Sequence, residues 1–321
     1  MLMNNCTFCN SSASVFRYST KDLWDNKYDI RQCNECRAYF LSPFPTNEML
    51  GIAYDESYYG CSEKKFSGPI EKVLDYFRKH RAKRISKLLP ENGNIIDIGC
   101  GNGNFLMSLL DFGKYNLFGS ELEGKSAQRA ALHKDLHLST EPINTGSFEK
   151  ESFDVVTMFH VFEHLTKPRL MLDSVKSFLK NDGYFVVSFP NIGSLQSRIF
   201  KGKWLHLDPP RHLFFFETED FIKIMNDYGF ELISKKYFSL EQNPYGFVQS
   251  FLNLFLKKRE VLFELLKGNK KYTSEYSSLN LFFQKLIFVF LYPFAIVGDA
   301  FSSMFGKGAT VEYVFRKVKG K

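Results

Sequence analysis

A short apolar strand that runs straight into a glycine-punctuated turn constrains this chain more than any other feature. Ile95-Ile96-Asp97-Ile98 is closed by Gly99-Cys100-Gly101-Asn102-Gly103, and a helical pattern follows from Phe105 to Phe112. Glycines there admit a left-handed backbone and close approach of a ligand, while the helix N-terminus presents N–H groups to it. The spacing is Gly-x-Gly-x-Gly, not the Gly-x-Gly-x-x-Gly of dinucleotide binders. Glu121 ends the next strand, Asn116 to Glu121, where a carboxylate can accept both hydroxyls of a ribose. The bland alternative is a tight turn beside a surface acid, but strand, glycines and acid together argue against it.

The pattern around this turn alternates. Lys125 to His133 reads as a helix, Phe153 to Met158 as a strand, Pro168 to Leu179 as a helix and Tyr184 to Phe189 as a strand. Glu219 to Tyr228, with Thr218 as N-cap, is a further helix. Phe230 to Phe238 and Ala309 to Val318 are the last strands. Such alternation predicts an α/β fold with a mainly parallel sheet and helices on both faces. Upstream, Gly68-Pro69 opens a helical pattern whose Arg78, Lys79, Lys83, Arg84 and Lys87 lie off the apolar stripe. A solvated basic face explains them better than a nucleic-acid patch.

Four of the six cysteines form two Cys-x-x-Cys pairs, Cys6/Cys9 and Cys33/Cys36. Two such knuckles supply the four thiolates that tetrahedral Zn²⁺ requires, and no ligand position is left open, so a structural zinc ribbon is expected over residues 1–45. The 23 residues between the knuckles slightly exceed the usual ribbon spacing. Cys61 and Cys100 carry no pairing signal. This cysteine usage suits a reducing compartment. The start, Met-Leu-Met-Asn-Asn-Cys, has no basic segment followed by an apolar one, so no signal peptide is expected and the chain reads as cytoplasmic.

With 44% hydrophobic and 24% charged residues, the composition excludes a wholly disordered chain. The 35 Phe and 16 Tyr imply a generous core or apolar surface intended for something other than water. The net charge is +7; from Glu241 onward 12 basic and 6 acidic residues carry +6, leaving 30 basic and 29 acidic residues before it. The same stretch contains an insertion, residues 241–308, which holds two apolar helical stretches, Phe247–Leu266 and Leu279–Phe305, joined by the polar run Lys267 to Ser278. Leu286 to Gly298, interrupted by Pro293 and flanked by Lys285, is shorter than the ~20 residues of a spanning helix. The expectation is a peripheral membrane contact without spanning, in which Lys267, Lys270 and Lys271 meet anionic lipid. A helical cap or a homodimer interface is the competing reading.

Taken in order, these segments resemble class I S-adenosylmethionine-dependent methyltransferases. Ile96 to Gly103 is similar to the first motif of that family. Ser152-Phe153-Asp154-Val155-Val156, leading to His160-Val161-Phe162-Glu163-His164-Leu165, resembles its fourth strand and following turn, and Asn181 to Val187 its fifth. Pro209-Pro210-Arg211-His212-Leu213 with Phe216 and Gly229-Phe230 resembles a subgroup containing ubiquinone-type O-methyltransferases and many bacterial glycan and natural-product methyltransferases. The run after Cys36, with Tyr58-Tyr59, resembles the N-terminal module fused to some of them, including sugar C-methyltransferases. The resemblance implies a Rossmann-like seven-stranded sheet from residues 68–240 and 309–321, preceded by a 46–67 linker. It implies that Gly99, Gly101 and Gly103 contact the methionine part of S-adenosylmethionine, that Asp97 orders the loop and that Glu121 holds the ribose. Cys100 packs under the loop and His160 lines the cofactor pocket. The acidic segment on the adenine side is short here, and neither Glu141 nor Glu149 is assigned to it. A base for a hydroxyl acceptor is expected among Glu163, His164, Arg211 and His212. The expected activity is methyl transfer to a small-molecule or lipid-linked acceptor, a sugar or glycan hydroxyl foremost. An RNA methyltransferase and a non-catalytic cofactor-binding scaffold are the alternatives. The strand end Phe189-Pro190-Asn191 lacks the Asn/Asp-Pro-Pro-aromatic pattern used on base amino groups, so nucleic acid is disfavoured.

Overall fold

The computed structural model describes residues 5–54 and 68–319; Tyr58, Tyr59, Cys61 and most of the expected linker lie outside the described residues. Two compact units share the chain, one of residues 67–189, 221–235 and 312–321, the other of 190–220, 236–311 and the described part of 1–66. The expected 68–240 segment runs across this division.

The N-terminal stretch folds as strands β1 (Ser14–Lys21), β2 (Lys27–Cys33) and β3 (Tyr39–Ser42), paired antiparallel, with Ser14 opposite Cys33 and Asp29 opposite Ser42. In β2 the alternate residues Tyr28, Ile30 and Gln32 are buried, the period-two signature of a sheet with one covered face. The β1–β2 turn is held by Asp22, whose Oδ1 accepts the backbone N–H groups of Trp24 and Asn26, both at 2.9 Å. Helix α1 (Asn47–Ala53) starts at Thr46, whose hydroxyl accepts the Met49 N–H at 3.2 Å, an ordinary N-cap.

The other unit begins with α2 (Gly68–Ile85) and then alternates: β4 (Asn94–Ile98), α3 (Asn104–Leu109), β5 (Asn116–Ser120), α4 (Lys125–Ala130), β6 (Leu136–Ser139), β7 (Phe153–Phe159), α5 (Pro168–Phe178) and β8 (Leu179–Pro190). After α6 (Leu195–Phe200) and the two-residue β9 (Phe214–Phe215), the chain adds α7 (Thr218–Asp227) and β10 (Phe230–Lys236). The last strand, β11 (Thr310–Lys317), completes a seven-stranded sheet in the order β10-β11-β8-β7-β4-β5-β6. The expected Rossmann-like sheet is therefore present. β4 lies parallel to both β5 and β7, so the strand order reverses at β4. A crevice outside the carboxyl ends of the strands at such a switch point is where open α/β sheets bind ligands. Ile95, Leu106, Leu117, Val155 and Val186 pack beneath it in one fully buried cluster. Asp154 fixes the start of β4: its Oδ2 accepts the Asn94 N–H at 2.8 Å, while Lys180 donates to it at 2.9 Å.

The insertion departs from expectation. Its first apolar stretch is two helices, α8 (Asn243–Asn253) and α9 (Val261–Leu266), broken over 254–260, and the polar run contains the short α10 (Lys270–Thr273). Lys267 does not reach outward; its ammonium meets Glu264 at 3.1 Å and lies 5.1 Å from the Phe263 ring centre. The second stretch is one continuous helix, α11 (Ser278–Met304), 27 residues long. Pro293 forfeits a ladder hydrogen bond without ending the helix, so the length argument against spanning fails: α11 is long and apolar enough to cross a membrane. Trp204, Tyr28, Ile30, Leu41 and Phe215 form the buried core of this unit beside α6.

Candidate functional site

The turn after β4 adopts the conformation its glycines permit. Gly99, Gly101 and Gly103 have φ of 76°, 58° and 75°, values that L side chains adopt only with strain. The three are not equivalent in their surroundings. A Cβ on Gly99 would stand 2.3 Å from Val161 Cγ2, and one on Gly103 would stand 2.8 Å from Leu136 Cδ2. A Cβ on Gly101 would meet nothing within 4 Å. Gly99 and Gly103 therefore let the loop seat against its own fold, while Gly101 borders open space.

Glu121 follows β5 and ties the loop down. Its Oε2 accepts the Gly101 N–H at 2.6 Å and its Oε1 accepts the Leu122 N–H at 3.0 Å. Burial raises its carboxyl above the usual range, opposed by these two backbone donors. A carboxylate at the strand end beside an uncluttered glycine is the donor set that the ribose and amino-acid portions of S-adenosylmethionine require, so the residues present fit that cofactor. Asp97, next to last in β4, is buried and accepts the Thr157 hydroxyl at 2.7 Å. Burial pushes its carboxyl up to about 7, against the Thr157 hydrogen bond and the Arg81 charge, both of which lower it. Cys100, expected under the loop, is there: its Sγ would lie 2.7 Å from a Cβ on Gly119, so its side chain belongs to the core.

Past β7, His160 takes φ of 54° and its N–H donates to the Ser188 carbonyl at 2.9 Å. Its Nδ1 stands 3.5 Å from Oε1 of the fully buried Glu163. His164 completes the single 3-10 turn Phe162–His164, with its N–H on the Val161 carbonyl at 3.0 Å. A left-handed non-glycine residue at the end of a central strand stores strain, and such positions cluster at functional sites. These three residues share one turn at the carboxyl end of the sheet.

Arg211 and His212 belong to the other unit. Arg211 is buried and grips Asp208 with two nitrogens, Nε at 2.8 Å, while its Nη1 donates to the Ala53 carbonyl at 3.4 Å. That bidentate pairing commits two of its guanidinium nitrogens to Asp208. His212 Nδ1 lies 2.8 Å from the His206 carbonyl and Nε2 lies 3.7 Å from Asp208 Oδ2. A carbonyl on Nδ1 fixes the proton there and leaves Nε2 as the basic atom.

Two participants escaped the sequence reading. Arg81 on α2 lies over the Phe159 ring at 4.6 Å and acts electrostatically on Asp97; it sits within a basic helical face that looked merely solvated. His133 Nε2 lies 3.1 Å from the Asn102 carbonyl, bracing the glycine turn from beyond α4.

The four N-terminal cysteines converge. Cys6 and Cys36 sulfurs are 3.5 Å apart, as are Cys9 and Cys33, and all four lie within 4.8 Å of one another. The edge of a tetrahedral zinc tetrathiolate is about 3.8 Å, so the set fits Zn²⁺. The Cys36 thiol bonding to the Cys6 sulfur draws Cys6 down to about 6, whereas burial pushes Cys9 up to about 11. A shared cation removes that conflict by holding all four as thiolates. Phe8, between the ligands of the first knuckle, packs edge-on against Phe216 with ring centres 5.0 Å apart.

Glu121→Ala removes the anchor of Gly101 and the carboxylate expected to hold the ribose; it should weaken S-adenosylmethionine binding by roughly 10- to 150-fold, about 1.5–3 kcal/mol, as read by calorimetry. The pH dependence of stability follows from Asp97. The folded state keeps this proton to about pH 7, whereas the unfolded chain releases it near pH 4, so the carboxyl lowers stability as pH rises between those values and no further above them. Thermal melts of Asp97→Asn without ligand should therefore gain on the parent from about pH 4 to about pH 7 and hold that gain above it. For the cysteine cluster, protein purified without added metal should contain one zinc per chain, and Cys33→Ser should open β1–β3 to proteolysis; four titratable thiols in metal-free native protein would reject the assignment.

A family model described as a methyltransferase domain matches residues 71–235, just over half of the chain. The ubiquinone biosynthesis O-methyltransferase of Glaesserella parasuis serovar 5 is 29% identical over 107 residues, covering 30% of this chain and 45% of that protein. The carboxy-S-adenosyl-L-methionine synthase of Campylobacter jejuni subsp. jejuni is 24% identical over 132 residues, covering 38% and 56%. The chain thus spans about half the length of the curated relatives it matches. A solved SAM-dependent methyltransferase from Archaeoglobus fulgidus is 16% identical, with a TM-score of 0.46 over 76% of this chain and 94% of that one. On the extent of the domain match, the chain belongs to the methyltransferase-domain family.

Proposed function

We propose that the chain transfers a methyl group from S-adenosylmethionine to a hydroxyl of a small-molecule acceptor carrying a phosphate or diphosphate, such as a nucleotide sugar or a lipid-linked glycan. The observation that carries the cofactor assignment is the Glu121 carboxylate clamped on the Gly101 N–H at 2.6 Å, next to the glycine with open space before it. Bound S-adenosylmethionine supplies a methyl already activated on a sulfonium. The work left to the protein is alignment, exclusion of water and acceptance of one proton. Glu121 and the glycine turn hold the cofactor's polar ends, and His160 stands beside it at the end of β7. His164 or His212 takes the acceptor hydroxyl proton on a ring nitrogen; for His212 that atom is Nε2, because Nδ1 is engaged by the His206 carbonyl.

Support for an anionic acceptor comes from a cavity of about 620 Å³ in the unit that contains β1 and β2. Lys27, Lys201, Lys203 and Lys257 line it against Asp22 and Asp25, beside Lys21, Lys258 and Arg259, which are engaged by Asp25, Glu275 and backbone carbonyls. The crowding is costly without an anion: burial lowers the Lys203 ammonium, and the neighbouring Arg259 and Lys21 charges lower it further. A zinc ion in the four-cysteine cluster would hold the module that supplies β1 and β2.

Purified protein with labelled cofactor should methylate at least one member of a panel of nucleotide sugars, lipid-linked sugars and quinone precursors, with phosphate-bearing members preferred. Alanine at the operative histidine, His164 or His212, should lower turnover roughly 10²- to 10⁴-fold while cofactor affinity stays near normal. Full turnover in both variants would place the base elsewhere, and labelling of the quinone precursors alone would overturn the anionic-acceptor reading.

A further inference from the structure

Helix α11 carries two faces of opposite character. Set on a wheel at about 100° per residue, the inward side chains Gln284, Phe288, Leu291, Ala295, Asp299 and Ser302 fall within one arc. Ala295 packs in a cluster with Val248, Leu252 and Leu262 of α8 and α9, and Phe288 and Leu291 pack against the same cluster. The polar members of that arc are committed to the protein. Gln284 is 2% exposed and its Nε2 donates to Asn280 Oδ1 at 2.8 Å. Asp299 is 3% exposed and its Oδ2 accepts from Asn243 Nδ2 at 3.1 Å, while Asn243 Oδ1 accepts the Thr310 hydroxyl at 2.8 Å.

The opposite arc, about 140° wide, holds only apolar residues over the full helix. Leu286, Val289, Phe290, Phe294, Val297 and Phe301 all stand in it, with Val297 70% and Phe290 68% exposed. Twenty-seven residues make this strip about 40 Å long. A soluble monomer does not ordinarily leave such a strip to water.

We propose that this outer face of α11 lies in the plane of a phospholipid bilayer, seated at the headgroup–acyl boundary, and that it does not cross the membrane. Two features select lipid over a second copy of the chain. No polar side chain interrupts the outer arc, whereas a protein–protein interface of this size would carry hydrogen-bonding groups in it. Lys285 beside the arc and Lys307 after the helix are exposed, as are Lys270 and Lys271; long basic side chains at a flank reach the headgroups while their stems stay apolar. The inner face decides between lying and spanning. To cross, α11 would have to leave α8 and α9 and carry Asp299 and Gln284 into hydrocarbon, where polar groups need partners that the bilayer does not offer. Lying flat keeps every one of those contacts and buries the outer arc alone.

Full-length protein should float with phosphatidylcholine vesicles containing phosphatidylglycerol and float less with phosphatidylcholine alone. Phe290→Asp with Phe294→Asp should stay in the bottom fraction, with circular dichroism and S-adenosylmethionine affinity unchanged. If that pair misfolds, Val289→Ser with Val297→Ser tests the same face more gently. Tryptophan placed singly at Phe283, Phe290 and Phe301 reports depth through quenching by brominated lipids, after subtraction of the signal from Trp24 and Trp204. Equal quenching at the three positions is expected. Phe290 placed deeper than both Phe283 and Phe301 would show a spanning helix and overturn the in-plane proposal. Protein that ignores both vesicle types, and forms a dimer by light scattering that Phe290→Asp with Phe294→Asp dissociates, would assign the face to a second copy. Because cofactor binding is read in the same samples, failure of the membrane proposal is distinguishable from failure of the methyltransferase assignment.

Discussion

A single hydrogen bond, from the Gly101 N–H to the Glu121 carboxylate, joins the carboxyl ends of the two adjacent strands, β4 and β5, on which the candidate site depends. It spans from the turn after β4 to the residue after β5 and measures 2.6 Å. Neither partner would serve alone. The glycine turn has three left-handed residues and little intrinsic preference for one shape, so a fixed acceptor is needed to hold it open. The carboxylate, pushed upward by burial, needs backbone donors to remain ionised in place. The parallel pairing of β4 with β5 sets their separation, Asp97 opposite Gly119 and Ile98 opposite Ser120. The fold thereby fixes the Glu121 carboxylate in place, which is the form of preorganisation that would favour a ligand proposed to bind there.

Most of this core was legible because it rests on local patterns. The strand over 95–98, the glycine turn and Glu121 announce themselves by hydrophobic runs and residue type, and the sheet extends β4 only by Asn94. Helix α3 is shorter than its pattern, ending at Leu109, because the following Leu110, Asp111 and Phe112 close a turn in which the Phe112 N–H donates to the Leu109 carbonyl at 2.8 Å. The cysteine knuckles were legible by spacing alone, and the four sulfurs do meet. Their strands were not. β1 reads Ser-Val-Phe-Arg-Tyr-Ser-Thr-Lys, and most of it is exposed, so no apolar alternation betrays it. Only the buried Tyr28, Ile30 and Gln32 of the neighbouring β2 show which face is covered.

The catalytic candidates show where sequence stops. Residue type and motif order singled out Glu163, His164, Arg211 and His212 alike. Geometry separates them by what already engages each one: Arg211 spends its fork on Asp208, and His212 spends Nδ1 on a carbonyl. Such commitments are long-range or depend on a loop with a left-handed Asp208, and no spacing rule reports them. Arg81 was hidden for a different reason. One arginine among several on a basic helix is indistinguishable by pattern from its neighbours, although its charge, unlike that of Lys79 on Asp111 at 2.9 Å, is felt by the buried Asp97.

The positive charge of the last quarter needs the same sorting before it can be assigned to any partner. Arg259 is buried, and its guanidinium donates to Thr20, Gly202 and Trp204, each at 2.8 Å. Lys258 pairs with Glu275 at 2.6 Å and Lys267 with Glu264 at 3.1 Å, while Lys317 meets Glu151 at 3.4 Å. These four cations hold the fold together and have little field left to offer at a distance, since each is neutralised or enclosed close by. Arg316 pairs with Glu231 at 2.8 Å, and the exposed remainder among the described residues is Lys257, Lys270, Lys271, Lys285, Lys307 and Lys319. Lys257 borders the cationic cavity, Lys270 and Lys271 sit on α10, and Lys285 and Lys307 are at and after α11. A charge excess that looks uniform in sequence therefore resolves into a structural share, a share lining a cavity and a share flanking an apolar helix. Anionic ligand and anionic surface make separate demands on it, and different lysines meet them.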